Sequence, residues 1–118
     1  MFLHSEITEK ILGSFYKVYN ELGYGFLEKV YENSLMIEFA SMALQCEQQP
    51  GIKVYYDGKE VGSYFADILV EKKVIVEVKA GKGEIMKEHE IQVSNYLKAT
   101  NYEVALILHF SEKPTLKE

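Results

Sequence analysis

The stretch Val74-Ile75-Val76-Glu77-Val78-Lys79-Ala80, "VIVEVKA", decides how the chain folds. Four of its first five residues are β-branched, which marks a buried strand. Side chains alternate along a strand, so Val74, Val76 and Val78 share one face while Ile75, Glu77 and Lys79 share the other. The best core strand therefore carries a carboxylate and an ammonium on one side. Burying a charge is costly unless it is paired, so this strand has a task besides packing.

The residues just upstream point to what that task is. In "YFADILV", residues 64–70, Asp67 stands between apolar neighbours and shares a face with Phe65 and Leu69. The polar turn Glu71-Lys72-Lys73 joins this strand to the next. A three-residue turn pairs Val70 with Val74 and sets Asp67 opposite Glu77. A two-residue turn would pair Asp67 with Val76 and send the carboxylates to opposite faces. The three-residue register is adopted because such hairpins are common. Opposed carboxylates repel and are kept where a cation lies between them. Lys79 supplies one positive charge and a divalent ion would supply more. Oxygen-only ligands suit Mg²⁺ or Mn²⁺. The same triplet also fits a buried Glu–Lys pair serving structure alone, or an edge strand showing its charges to water.

Two helices precede the strands. Ser5 can cap the first, whose apolar face is Ile7, Ile11, Phe15, Val18 and Leu22. Gly23 and Gly25 interrupt it. A second helix is predicted over residues 27–44, with the stripe Leu27, Tyr31, Leu35, Phe39 and Met42. At about 100° per residue, Glu28 falls inside that arc, a third acid able to reach the same place. Strand pattern follows at residues 52–56, with Asp57-Gly58 as a hairpin turn, and continues over residues 61–70. After "GKGE", a long helix is predicted over residues 84–100 and a last strand over residues 102–110. On that helix Ile85, His89, Gln92 and Tyr96 lie on one face, and three of these bring hydrogen-bonding groups. His89 alone also fits a packed histidine, and Tyr96 alone a core residue. The tail, residues 111–118, is expected to fray.

The predicted fold is α/β: helix, helix, a three-strand antiparallel meander, a crossover helix, and a final strand able to lie parallel to a central one. A chain of 118 residues, 47% hydrophobic and 26% charged, reads as one soluble domain over residues 1–118. The single cysteine, Cys46, excludes an internal disulfide. The N-terminus has no basic leader, and no apolar run approaches the roughly 20 residues of a membrane helix. A cytoplasmic protein without membrane partners is expected. The net charge is −5, and all 13 basic residues are lysine. Any nucleic-acid contact would then be weak or transient, because phosphate neutralisation drives such affinity.

Gly25 to Tyr31, "GFLEKVY", resembles the signature of the GxxExxY protein family. The likeness continues through "YFADILV", "VIVEVKA" and "HEIQVSNYLKAT" to about Phe110. That family is placed in the PD-(D/E)XK phosphodiesterase superfamily, with a restriction-endonuclease-like core. The resemblance implies that Asp67 is the first motif carboxylate and that Glu77-Val78-Lys79 is the (D/E)-x-K element. It implies that Glu28 is an additional helical acid, and that Gln92 and Tyr96 form a Q-x-x-x-Y element. It further implies a Mg²⁺ (or Mn²⁺) ion held by Asp67, Glu77, the Val78 carbonyl and Glu28, and hydrolysis of a nucleic acid, DNA first. Lys79 would be catalytic, and Gln92, Tyr96, His89 and Tyr31 would bind or orient substrate. Ala66 stands where the superfamily's name has proline. The alternative is a nuclease-fold protein with weak or no catalysis, acting as a binding or assembly module. A homo-oligomer or larger assembly is compatible with so small a chain.

Overall fold

The computed structural model describes residues 4–118. Residues 1–3, the start of the stretch read above as lacking a leader, lie outside them. In chain order the elements are α1 (Ser5–Leu22), α2 (Glu28–Ser41), β1 (Cys46–Gln48), β2 (Gly51–Tyr56), β3 (Lys59–Phe65), β4 (Ile68–Val70), β5 (Val74–Ala80), α3 (Lys87–Ala99), β6 (Val104–Phe110) and β7 (Pro114–Lys117). Five strands form one mixed sheet in the order β1-β4-β5-β6-β7. β5 and β6 run parallel with α3 as their crossover, and the other pairs are antiparallel.

The sheet is covered on both faces, which is why β5 and β6 read as nearly continuous apolar runs. On one side Val74, Val76 and Val78 meet Ile11, Phe15 and Val18 of α1 and Tyr31, Leu35 and Phe39 of α2. On the other, Ile75 packs with Ala105, Ile107, Val93 and Tyr96 beneath α3. The face assignment of "VIVEVKA" holds. No described helix is long and apolar enough to cross a membrane.

The meander is present, but its first strand is β1, Cys46–Gln48, and not residues 52–56. The strand predicted over residues 61–70 is broken at Ala66-Asp67. Its first half, β3, pairs with β2 in a separate two-stranded hairpin. Both strands of this long ribbon kink at one level. Gln49 has φ 56° and the next residue is Pro50, which has no N–H to give a ladder. Across the kink the Gln49 N–H donates to the Asp67 carbonyl at 2.7 Å, and the Ala66 N–H donates to the Pro50 carbonyl at 3.1 Å. Below the kink the ribbon joins the sheet. Above it, the hairpin turns away and lies along α3.

Other boundaries shift for physical reasons. Ser5 is the first residue of α1 and does not cap it; the cap position is His4, in left-handed conformation. Leu27 is 80% exposed, because it is the cap residue before α2 and not part of the helix's buried stripe. The tail does not fray: Leu116 packs on the core and β7 pairs with β6, covering its outer edge.

Candidate functional site

The turn Glu71-Lys72-Lys73 sets the register. Glu71 and Lys72 both adopt φ 54°, and the Lys73 N–H closes the turn on the Val70 carbonyl at 3.0 Å. Val70 pairs with Val74, Leu69 with Ile75 and Ile68 with Val76. The next residue upstream, Asp67, consequently meets Glu77.

The two acids engage each other's backbone. The Asp67 N–H donates to Glu77 Oε1 at 2.9 Å, and the Val78 N–H donates to Asp67 Oδ2 at 2.7 Å. One oxygen of each carboxylate is thus fixed by main chain at the ribbon's kink. Glu77 is only 3% exposed. Burial, followed by the Asp67 charge, pushes its carboxyl up to about 8. Burial also raises Asp67, although the Val78 N–H and the Lys79 ammonium pull it back. Lys79, half-buried, is the cation that moderates both. The arrangement is a largely buried pair of carboxylates with Lys79 as the nearby cation.

The other sequence candidates are distributed around this pair. Glu28 is not in the buried arc as expected. It opens α2, lies exposed beyond the sheet's end, and its Oε2 accepts the Ala80 N–H at 3.4 Å. Gln92 donates to the Tyr96 hydroxyl at 2.9 Å. Burial, then the Glu77 and Asp67 charges, raise Tyr96, whose hydroxyl therefore belongs to the same neighbourhood. His89 caps its own helix, accepting the Met86 N–H on Nδ1 at 3.4 Å. Tyr31 is fully buried rather than offered to substrate. Its hydroxyl donates to the Gly23 carbonyl at 2.8 Å and accepts the Phe26 N–H at 3.2 Å, while its ring stacks on Phe110 at 4.0 Å. Tyr31 is the pin of the α1–α2 turn.

Two titratable groups escaped sequence reasoning. Glu32, 3% exposed, is the buried acid of α2. It accepts from Gln48 Nε2 at 2.6 Å, from Gln49 Nε2 at 3.1 Å and from Lys29 Nζ at 3.0 Å. Gln49 Nε2 also lies 3.5 Å from Asp67 Oδ1, linking Glu32 to the pair. The helical stripe through Tyr31, Leu35 and Phe39 ends within about 20° of Glu32, so the acid sits just outside the arc that the sequence pattern marked. The second group is His109, paired in register with Lys79 on β6 and only 4% exposed. Its Nδ1 has no hydrogen-bond partner among the described residues, and burial lowers its proton affinity. It sat unseen within an apolar strand.

Among the described residues, no group of three or more His, Cys, Asp and Glu side chains could hold a metal ion. Glu28 thus does not close with Asp67 and Glu77 into a single cage, because it faces a backbone N–H beyond Glu77. The pair still fits a hard divalent ion of the kind that takes one or two protein carboxylates and fills its shell with water and substrate oxygens. Cys46 is no competing ligand: burial, then Glu71, pushes its thiol up to about 11.

A family model described as PD-(D/E)XK nuclease superfamily matches residues 5–118. Comparison with curated proteins and with solved structures returned no match.

Proposed function

The chain belongs to the PD-(D/E)XK nuclease superfamily, and we propose that it is a divalent-metal-dependent nuclease whose centre is Asp67, Glu77 and Lys79. The observation that carries this reading is the reciprocal fixing of Asp67 and Glu77 by backbone N–H groups beside Lys79. Asp67 and Glu77 would hold Mg²⁺ or Mn²⁺, with the Val78 carbonyl as a further donor and Glu28 acting through water. When bound, the ion supplies Lewis-acid polarisation of the scissile phosphate and a more acidic water. Lys79 would orient the attacking water and offset negative charge growing on the phosphoryl oxygens. Gln92 would hold the Tyr96 hydroxyl toward the substrate. Glu32 and Gln49 would keep Asp67 in place. The substrate is a nucleic acid, with DNA taken first, and one cytoplasmic domain would suffice.

Membership of the GxxExxY branch is part of the proposal, and each motif residue has a physical use that supports it. Gly25 turns the chain at φ 111°, Glu28 reaches the end of β5, and Tyr31 ties the turn to the core. Titration calorimetry of wild type and Asp67→Ala with Mn²⁺ tests the site. Binding by wild type and its loss in the variant are expected; binding unchanged by the substitution would refute the ligand assignment. Binding by wild type without cleavage of any DNA or RNA would favour the assembly-module reading.

A further inference from the structure

Among the described residues the β2–β3 hairpin has no strand partner in the main sheet, and its aromatic side chains are left largely uncovered. A groove of about 710 Å³ runs between it and α3, lined by Val54, Tyr55, Tyr64, Ile91, Gln92 and Lys98, with Glu88 at its wall. A register shift between Val54 and Tyr55 turns Tyr55 to the groove side beside Val54. Tyr55 is 60% exposed and Tyr64 51%. Two groove residues, Tyr64 and Gln92, contact Tyr96, whose hydroxyl lies in the neighbourhood of the carboxylate pair. Tyr64 leans on Tyr96 with ring centroids 6.2 Å apart, and the Tyr96 hydroxyl accepts from Gln92, itself a groove residue.

We propose that this groove is a stacking platform for a single nucleic-acid strand, feeding unpaired bases past Tyr55 and Tyr64 toward Asp67 and Glu77. This inference rests on the nuclease reading and specifies its substrate class. The exposed rings, more than charge, make the choice between duplex and single strand. A duplex binder works by neutralising phosphates with a basic stripe. Here a chain of net charge −5 offers the groove Lys98 against Glu88, and no surplus. Single-strand sites combine a cationic groove with aromatic rings on which unpaired bases stack regardless of sequence; here the exposed rings supply the stacking and Lys98 the charge. A second copy of the chain is the competing occupant. It would leave unexplained why Tyr64 leans on Tyr96, beside the carboxylate pair.

The test is fluorescence anisotropy of a short labelled oligothymidylate and of a duplex of equal length, in EDTA to prevent cleavage. Wild type should prefer the single strand. Tyr55→Ala and Tyr64→Ala should each weaken single-strand binding roughly tenfold. Tyr55→Phe and Tyr64→Phe, which keep a stacking ring and control for misfolding, should bind as wild type does. Tyr16→Ala, on α1, should change nothing. Alanine variants that bind like wild type, or a wild-type preference for duplex, would overturn the platform. So would a concentration-dependent dimer that Tyr55→Ala dissolves while oligonucleotide affinity stays the same. If duplex is nevertheless cut in Mg²⁺, and equally by the alanine variants, the platform alone fails and the nuclease reading stands. Neither binding nor cleavage of any nucleic acid by wild type would defeat both.

Discussion

At the scale of single residues, the proposed chemistry turns on two carboxylates held where they are reluctant to ionise. The burial that raises Glu77 to about 8 also has a thermodynamic signature. The ordinary glutamate value is about 4.3. Between these values the folded state keeps a proton that the unfolded chain has lost. Folded stability must therefore decline as pH rises from about 4.3 toward 8, and Asp67, also raised, adds to the decline. Thermal melts in EDTA should show a midpoint falling across this window. Glu77→Gln should flatten the fall, and Mn²⁺ should raise the midpoint most at the alkaline end, where the ligands are ionised. A midpoint rising with pH in EDTA would contradict the buried, underneutralised pair. Gln49→Ala is expected to lower cleavage by roughly tenfold through loss of positioning while leaving the melt nearly unchanged. A variant as active as wild type would remove Gln49 from the site.

Elements fix what the residues can reach. The tight turn between β4 and β5 sets two non-glycine residues in left-handed conformation, a geometry that costs roughly 1–2 kcal/mol per residue. Lys72→Gly should therefore stabilise the fold by about 0.5–1 kcal/mol once glycine's greater unfolded-state entropy is subtracted, measured by urea denaturation. Destabilisation would mean that the Lys72 side chain matters more than its backbone. At the opposite edge, deleting residues 113–118 uncovers β6 and removes Leu116 from the core. Loss of roughly 2–4 kcal/mol and a tendency to aggregate are expected; an equally stable, monomeric truncation would show that β7 is dispensable. This strand was hidden in the sequence because "KPTLK" has a single large apolar residue. The strand alternation in "VIVEVKA" and the Asp57-Gly58 turn were legible, because local pattern determines both. The kink at Gln49-Pro50 and Ala66-Asp67 was not. It is a property of two strands folding away together, and residues 61–70 by themselves read as one unbroken strand.

The whole molecule is two helical layers around a mixed sheet, with the site where a bent ribbon leaves that sheet. Asp67, Glu77 and Lys79 were readable as a triplet because binary patterning leaves buried charges conspicuous. Glu32 and Gln49 were not, since their link to Asp67 depends on separate elements converging, and His109 was hidden within an apolar strand. An acidic molecule without arginine should bind nucleic acid with shallow salt dependence. For one to three phosphate contacts on a single strand, log K against log[salt] should have a slope of about −0.7 to −2; a much steeper slope would call for a basic tract that this surface does not display. The central claim, that the Asp67–Glu77 pair is the hydrolytic centre, is tested most directly by following cleavage of end-labelled single-stranded DNA in Mg²⁺ by wild type and Asp67→Asn on a denaturing gel. Metal-dependent cleavage by wild type, reduced at least a hundredfold in the variant, is the predicted result. Cleavage that persists undiminished in Asp67→Asn would contradict it.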